Sequence, residues 1–275
     1  MVGLALTAAL LHATWSAVAK TTTDRLAGFF VMSAVSAGLG AAGLGICGAT
    51  IPRATCWFVA ASALLHVAYM LLMAWSYRIG DFSQVYPMAR GTSPLLVTTI
   101  GLVGLGGRPS LPGLCGVVLI SSGLWALARA GPLNGRANRG AVVAALSTGV
   151  AITTYTVVDG LGVRQSGSVL TYLLWLQLLM GVGFIVVVAA LRGRTVLTVD
   201  RSTCRRGVCG GLIAALAYSL VLVAQTRASL GTVSALREVS IVFGALIGAL
   251  VLNEPLGRRR ISASALVLVG VLLIA

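Results

Sequence analysis

Four ionisable residues lie where an apolar chain tolerates them least. Arg90, Asp159, Arg237 and Glu238 sit inside long hydrophobic runs rather than between them. A charge within a membrane segment is costly and persists where it pairs with another charge or contacts something that binds there. Arg90 lies about seven residues into its run, ~10 Å along a helix; Arg237 and Glu238 lie about five or six residues into theirs, ~8 Å along. Asp159 lies near the end of its run. Following the chain back and forth places Arg90 toward the face holding Lys20, Asp24 and Asp81. Arg237 and Glu238 fall toward the opposite face, beside Asp159.

Two readings stand for Asp159, Arg237 and Glu238: an internal salt-bridge network between two helices, or direct contact with a substrate or a coupling proton. Within that set Asp159 is the expected partner of Arg237. Glu238 follows Arg237 directly and so points ~100° away around the helix. Arg90 has no acid in its own run, which leaves anion coordination at a cavity mouth or snorkelling to lipid phosphate.

The remaining candidates are aromatic and polar. Trp15, Tyr69, Tyr86, Tyr155, Trp175 and Tyr218 could line a cavity, or could form the interfacial belts that Trp and Tyr favour. Gln177 is a polar group in mid-run, with helix packing as its alternative role. His12 and His66 stand singly on apolar runs without a second ligand at helical spacing, so packed or water-bonded histidines are expected. Five cysteines (Cys47, Cys56, Cys115, Cys204, Cys209) form no paired metal motif and read mostly as buried small apolar residues. No cofactor, metal or catalytic residue is expected. A lipid-modifying enzyme would need a ligand cluster or a nucleophile with a base, and a scaffold or assembly subunit would need no polar interior.

The elements that must hold these residues follow from composition. Of 275 residues, 58% are hydrophobic and only 9% charged, against about a quarter charged in soluble domains. So few charges cannot cover a wet surface. The net charge of +14 would invite nucleic acid in a soluble protein, but the arginines fall in short breaks between apolar runs, where lipid head groups attract them. The partners expected are therefore the bilayer and a small-molecule solute, with a proton as candidate coupling ion, and no nucleic acid.

Runs of the ~20 residues needed to cross a bilayer recur at Val2–Ala19, Leu26–Gly48, Thr55–Tyr77, Ser83–Leu105, Pro112–Ala128, Ala141–Leu161, Val169–Leu191, Gly207–Ala228, Thr232–Leu252 and Ile261–Ala275. Met1 to Ala19 lacks the basic leader and cleavage pattern of a signal peptide and reads as a first span. The expected fold is an all-α polytopic membrane protein of ten helices, and the many glycines suit close helix packing in lipid.

The chain also repeats. Ala68-Tyr69 precedes Tyr77-Arg78 at the spacing at which Ala217-Tyr218 precedes Thr226-Arg227. Ala89-Arg90-Gly91-Thr92-Ser93 likewise matches Leu236-Arg237-Glu238-Val239-Ser240, with Ser three residues after each Arg. Residues 1–130 and 140–275 thus read as two five-helix repeats. An odd number of spans inverts the second, and such repeats place a substrate site at their interface. Tyr69 and Tyr218 are expected at equivalent, inward-facing positions.

Several segments resemble the drug/metabolite transporter superfamily and its EamA-type members. These are Leu11-His12-Ala13-Thr14-Trp15-Ser16-Ala17, the stretch from Tyr77 to Pro94, Tyr155-Thr156-Val157-Val158-Asp159-Gly160, Leu236 to Ser240, and the Asn253-Glu254-Pro255-Leu256 turn. The first half has Gly107-Arg108 where that turn has Asn253-Glu254. The resemblance implies a basket of helices around a central cavity, carrying small organic solutes across a plasma (inner) membrane as a monomer or weak dimer. It does not fix the substrate. The first span holds no Asp or Glu to trade a bulky cation for protons, and Arg90 and Arg237 suit anionic or zwitterionic, amino-acid-like solutes.

Orientation divides the two lines of reasoning. Of twenty Lys and Arg, four (Arg53, Arg108, Arg164, Arg227) fall in loops after even-numbered spans, and Arg90 and Arg237 fall within spans. The other fourteen fall in loops after odd-numbered spans. The positive-inside rule then puts both termini outside, whereas the resemblance implies cytoplasmic termini.

Overall fold

A computed structural model of the chain describes residues 2–20, 22, 24–79, 82–129, 139–193, 198–250 and 258–274, and over these it is helical with no strand. The helices are α1 (Val2–Lys20), α2 (Arg25–Cys47), α3 (Arg53–Ile79), α4 (Phe82–Gly104), α5 (Leu111–Arg129), α6 (Arg139–Gln165), α7 (Val169–Arg192), α8 (Arg201–Arg227), α9 (Leu230–Arg237), α10 (Ser240–Leu250) and α11 (Arg258–Ile274). Six of them, α1, α2, α3, α6, α7 and α8, are long and apolar enough to cross a bilayer, and apolar stretches of α5 and α11 are shorter. The protein is a polytopic α-helical membrane protein. The segments Gly80-Asp81, Ala130 to Asn138 and Val251 to Gly257, with the expected Asn253–Leu256 turn, lie outside the described residues.

Local chemistry sets the helix ends. The Asp24 carboxylate accepts from the Leu26 and Ala27 N–H groups at 3.1 Å each and so opens α2. Gly48, at φ 57°, closes it, and its N–H reaches Leu44 O. Ser168, Asp200 and Ser229 cap α7, α8 and α9 in the same way. Asp200 starts α8 one and a half turns before the apolar run expected at Gly207, so its first turns are basic.

Two expectations need correction here. The span expected as one run from Thr232 to Leu252 is broken at Glu238–Val239 into α9 and α10. Around the break Glu238 N–H bonds Ala235 O, Val239 N–H bonds Leu236 O and Ile241 N–H bonds Glu238 O. These are i→i−3 bonds, tighter than the α-helical ladder. The five cysteines are exposed rather than buried. Outer faces of the bundle are apolar, with Ile46, Val103 and Leu272 among the most exposed side chains, whereas Cys204 lies in the basic first turns of α8.

The helices pack mainly across the halves of the chain. The closest partners are α2 with α7 and α5 with α11, followed by α3 with α6 and α1 with α8. Glycine makes these approaches possible. A Cβ on Gly181 would sit 2.6 Å from Ser33 O, one on Gly40 2.6 Å from Leu174 O, and one on Gly116 2.5 Å from Gly270 O. Without a hydrophobic drive between helices in lipid, such backbone contact supplies the packing energy.

Gly181→Val should therefore force α2 and α7 apart, lowering stability by about 1–3 kcal/mol, whereas Gly38→Ala, where an added Cβ meets nothing within 4 Å, should leave it unchanged. Thermal unfolding in detergent, followed by size-exclusion chromatography, reads both.

At the membrane surface Arg192 donates to Asp24 at 2.5 Å, which holds the Asp24 carboxyl below its ordinary range. A depressed carboxylate stabilises the fold above its unfolded value of about 3.9 and loses that contribution as pH falls through the folded value. With side chains 36% and 45% exposed, the pair is screened and contributes at most ~1 kcal/mol. Asp24→Asn should therefore shift the unfolding temperature only slightly near neutral pH and not at all in strong acid.

Candidate substrate cavity

A cavity of about 130 Å³ lies inside the bundle. At 10–15 Å³ per water that is room for roughly ten waters, or for a solute of similar heavy-atom count. Helix α1 lines it with Ala8, Ala9, His12 and Trp15, and α2 with Phe29, Met32, Ser33 and Ser36. From α3 come His66, Tyr69, Met70 and Met73, from α6 Tyr155, from α7 Gln177, Met180 and Gly181. Helix α8 supplies Gly211, Ala214, Ala215, Ala217, Tyr218 and Val221, and α9 supplies Arg237. These residues take the middle of α1, the second half of α3 and the first half of α2. The cavity therefore extends toward the end of the bundle where Asp24 links α1 to α2.

Of the eleven sequence candidates, Trp15, Tyr69, Tyr155, Gln177, Tyr218 and Arg237 line the cavity, and Tyr86, Arg90, Asp159, Trp175 and Glu238 do not. Tyr69 and Tyr218 both face inward. Trp175 is turned aside, its Nε1–H donating to Ala49 O at 3.2 Å. Tyr86 lies against Arg90, whose guanidinium carbon is 5.7 Å from the ring centre.

The charge pairing differs from the one expected. Arg90, only 2% exposed, is neither a ligand at the cavity mouth nor a side chain reaching lipid phosphate. Its Nε–H donates to Glu238 Oε2 at 2.8 Å, and its Nη2 donates to Ser240 Oγ at 2.9 Å and to Arg237 O at 3.4 Å. The tight turn between α9 and α10 releases backbone carbonyls, and the Arg90 fork fills that gap. Arg90 and Glu238 were assigned to opposite faces by counting along each span. They meet because α4 and α9 pack on one another, so both segments reach the same depth in the bundle.

Arg237 consequently pairs with neither Asp159 nor Glu238. Among the described residues no carboxylate lies in salt-bridge range of it, and Tyr155 is a close neighbour. It is 7% exposed and is the one guanidinium among the lining residues. Two further polar groups face the same space. The Gln177 amide oxygen is buried without a hydrogen-bond partner among the described residues. Trp15 Nε1–H donates to His12 Nδ1 at 3.2 Å, which in a neutral ring leaves His12 Nε2–H as a donor.

Asp159 is fully buried behind this lining. Tyr172 donates to its Oδ1 at 2.8 Å, Tyr218 donates to its Oδ2, and His66 Nε2 lies 4.0 Å from Oδ2. His66 is the group that sequence reasoning undervalued. It lines the cavity, and only the packing of α3 on α6 brings it to a carboxylate 93 positions away (159 − 66).

The chain is a multi-pass helical bundle around a mostly apolar internal cavity into which a few polar groups project. Residues 139–275 match the EamA-like transporter family, and through that half the chain belongs to this family of membrane transporters. Its fold is similar to that of a solved crystal structure, with a TM-score of 0.80 over 99% of this chain and 96% of the other at 16% identity. None of the curated proteins matches the sequence.

The Arg90–Glu238 pair generates a double-mutant test. Glu238→Gln and Arg90→Met should each destabilise the protein by about 3–5 kcal/mol, because each strands a buried partner, while the double variant should lose far less than the sum. Thermal unfolding in detergent reads the cycle, and additive losses would count against the pairing.

Proposed function

We propose that the protein is a secondary carrier that moves a small anionic or zwitterionic, amino-acid-like solute across a plasma (inner) membrane by alternating access. The observation that carries the reading is Arg237: a buried guanidinium on the cavity wall with no carboxylate from the described residues to neutralise it. A buried cation without a counter-ion is costly, and a solute carboxylate would supply one, in the bidentate geometry that Arg favours. Gln177 Oε1 offers an acceptor for the ammonium or hydroxyl group of the same solute.

The scaffold is ten spans in two inverted repeats, residues 1–130 and 140–275, with α9 and α10 together forming the ninth span. The packing supports this. Exchanging the halves turns the α1–α8 contact into α6–α3, and the α2–α8 contact into α7–α3; both members of each pair occur. The α2–α7 and α5–α11 contacts map onto themselves, as a twofold relation requires. A site at such an interface can be exposed to either side by rocking one half against the other.

Uptake into proteoliposomes of purified carrier tests the reading, with a panel of radiolabelled amino acids and small carboxylates offered inside and out. At least one carboxylate-bearing solute should exchange in the wild type. Arg237→Met should weaken its binding at least tenfold, about 1.4 kcal/mol or more, with folding retained. No exchange of any panel member would remove the reading; exchange untouched by Arg237→Met would remove the role of Arg237.

A further inference from the structure

We infer that His66 and Asp159 form a single proton-binding site across the interface between the two halves, and that this is where the carrier takes its coupling proton. The inference rests on the carrier reading above.

The argument starts from which atoms carry hydrogen. His66 Nδ1 lies 2.9 Å from Ser62 O. The Ser62 hydroxyl oxygen lies 3.2 Å from the same nitrogen; a carbonyl only accepts, so in the tautomer that keeps the shorter contact Nδ1 holds the proton. In a neutral imidazole Nε2 then presents a lone pair, and it faces Asp159 Oδ2 at 4.0 Å. An ionised carboxylate also only accepts. Two acceptors facing each other in a buried site repel, and one proton placed on either atom turns the contact into donor and acceptor.

With the proton on Nε2 the pair is imidazolium and carboxylate; with it on Oδ2 both groups are neutral. Either way the pair binds one proton and its net charge goes from −1 to 0. The 4.0 Å gap closes by a small ring rotation or is bridged by one water.

The neighbours leave Asp159 in need of that proton. Tyr172 from α7 and Tyr218 from α8 both donate to it, but hydroxyls do not cancel a charge. Arg237, from α9, faces Tyr155 on α6 rather than Asp159, and Arg90, from α4, is held by Glu238. Among the described residues His66 is the basic group in reach, and an isolated carboxylate at 0% exposure would cost several kcal/mol.

The site also has a route and a consequence. His66 and Tyr218 line the cavity while Asp159 does not, so a proton from the cavity reaches Asp159 through them. Tyr155 packs on the His66 ring with centres 4.1 Å apart, and Tyr218 meets its edge at 5.3 Å, which limits the ring to small rotations about this orientation. His66 belongs to α3 and Asp159 to α6, so loss of the proton sets two acceptors against each other across the halves. A carboxylate on Arg237 and a proton on this pair carry opposite charges within one cavity, so each strengthens binding of the other. In the register that matches Tyr69 to Tyr218, the counterpart of His66 is Ala215, so the second half does not repeat the histidine.

Proton binding by the full chain in detergent, read with a pH indicator between about pH 9 and about pH 5 across the histidine range, tests this without any solute. Asp159→Asn and His66→Gln should each bind about one proton fewer per chain than wild type, and the double variant should lose no more than either alone. His12→Gln should leave that shared proton in place. Asp159→Asn or His66→Gln binding as many protons as wild type, or the double variant losing two, would overturn the single shared site. Size-exclusion profiles confirm folding, and either single variant suffices if the other misfolds. The solute-exchange assay decides the carrier reading independently: exchange with unchanged proton binding in both variants sinks only the proton site, and absence of exchange sinks the carrier.

Discussion

Charge inside a bundle of this kind has almost no solvent to fall back on, and the architecture is organised around that scarcity. The chain has six acids against twenty bases, and two of the acids, Asp159 and Glu238, are buried among helices. Glu238 is committed to Arg90. That one contact joins α4 to the α9–α10 turn, fills the carbonyl gap that the turn opens, and holds a break in a span that carries neither Gly nor Pro at the break. Once Glu238 is committed, no carboxylate among the described residues pairs with Arg237, and Asp159 meets two phenols and a histidine. The cavity thus acquires a cation on one wall and a proton acceptor behind another, as a consequence of how few counter-ions exist.

Backbone proximity makes the arrangement possible. Gly40 and Gly181 let α2 and α7 meet backbone to backbone, and Gly116 with Gly270 does the same for α5 and α11. These two contacts run between the halves of the chain, and the inner helices α1, α3, α6 and α8 pack beside them. Apolar side chains cannot drive such association in lipid, because lipid tails satisfy them equally well. Small residues therefore fix where the helices cross, and the crossing points fix which polar residues meet.

That order of causes explains what could be read from the sequence. Helix-forming runs follow from composition, and the runs at α2, α6 and α7 lie close to the observed helices. The inward positions of Tyr69 and Tyr218 match what their equivalent spacing to Arg78 and Arg227 implies. Partner choice did not follow. Arg90 meets Glu238 because α4 and α9 cross, and depth counted along a single span contains no term for that crossing. The same holds for His66, which looks isolated on α3 until α6 brings Asp159 beside it. The break at Glu238–Val239 is also tertiary in origin, because no local residue there stops a helix. The basic first turns of α8 are the exception: Asp200 is a good N-cap residue standing just before them, and a capping argument would have found that boundary where hydropathy did not.

The two matched arginine segments differ at one position that decides their roles. After Arg90 comes Gly91; after Arg237 comes Glu238. A Cβ on Gly91 would sit 2.8 Å from Leu124 Cβ and 3.2 Å from the Trp125 ring, so α4 packs too closely on α5 to admit a carboxylate there. The second half has a glutamate at the corresponding place, and its carboxylate turns to the other half's arginine rather than to its own neighbour. The symmetric pattern of two arginines therefore gives an asymmetric result: Arg90 is neutralised and structural, while Arg237 is exposed to the cavity and free to bind. A pair of equivalent acids would have neutralised both and left the cavity wall uncharged. One acid fewer leaves Arg237 on the cavity wall without a carboxylate from the described residues beside it.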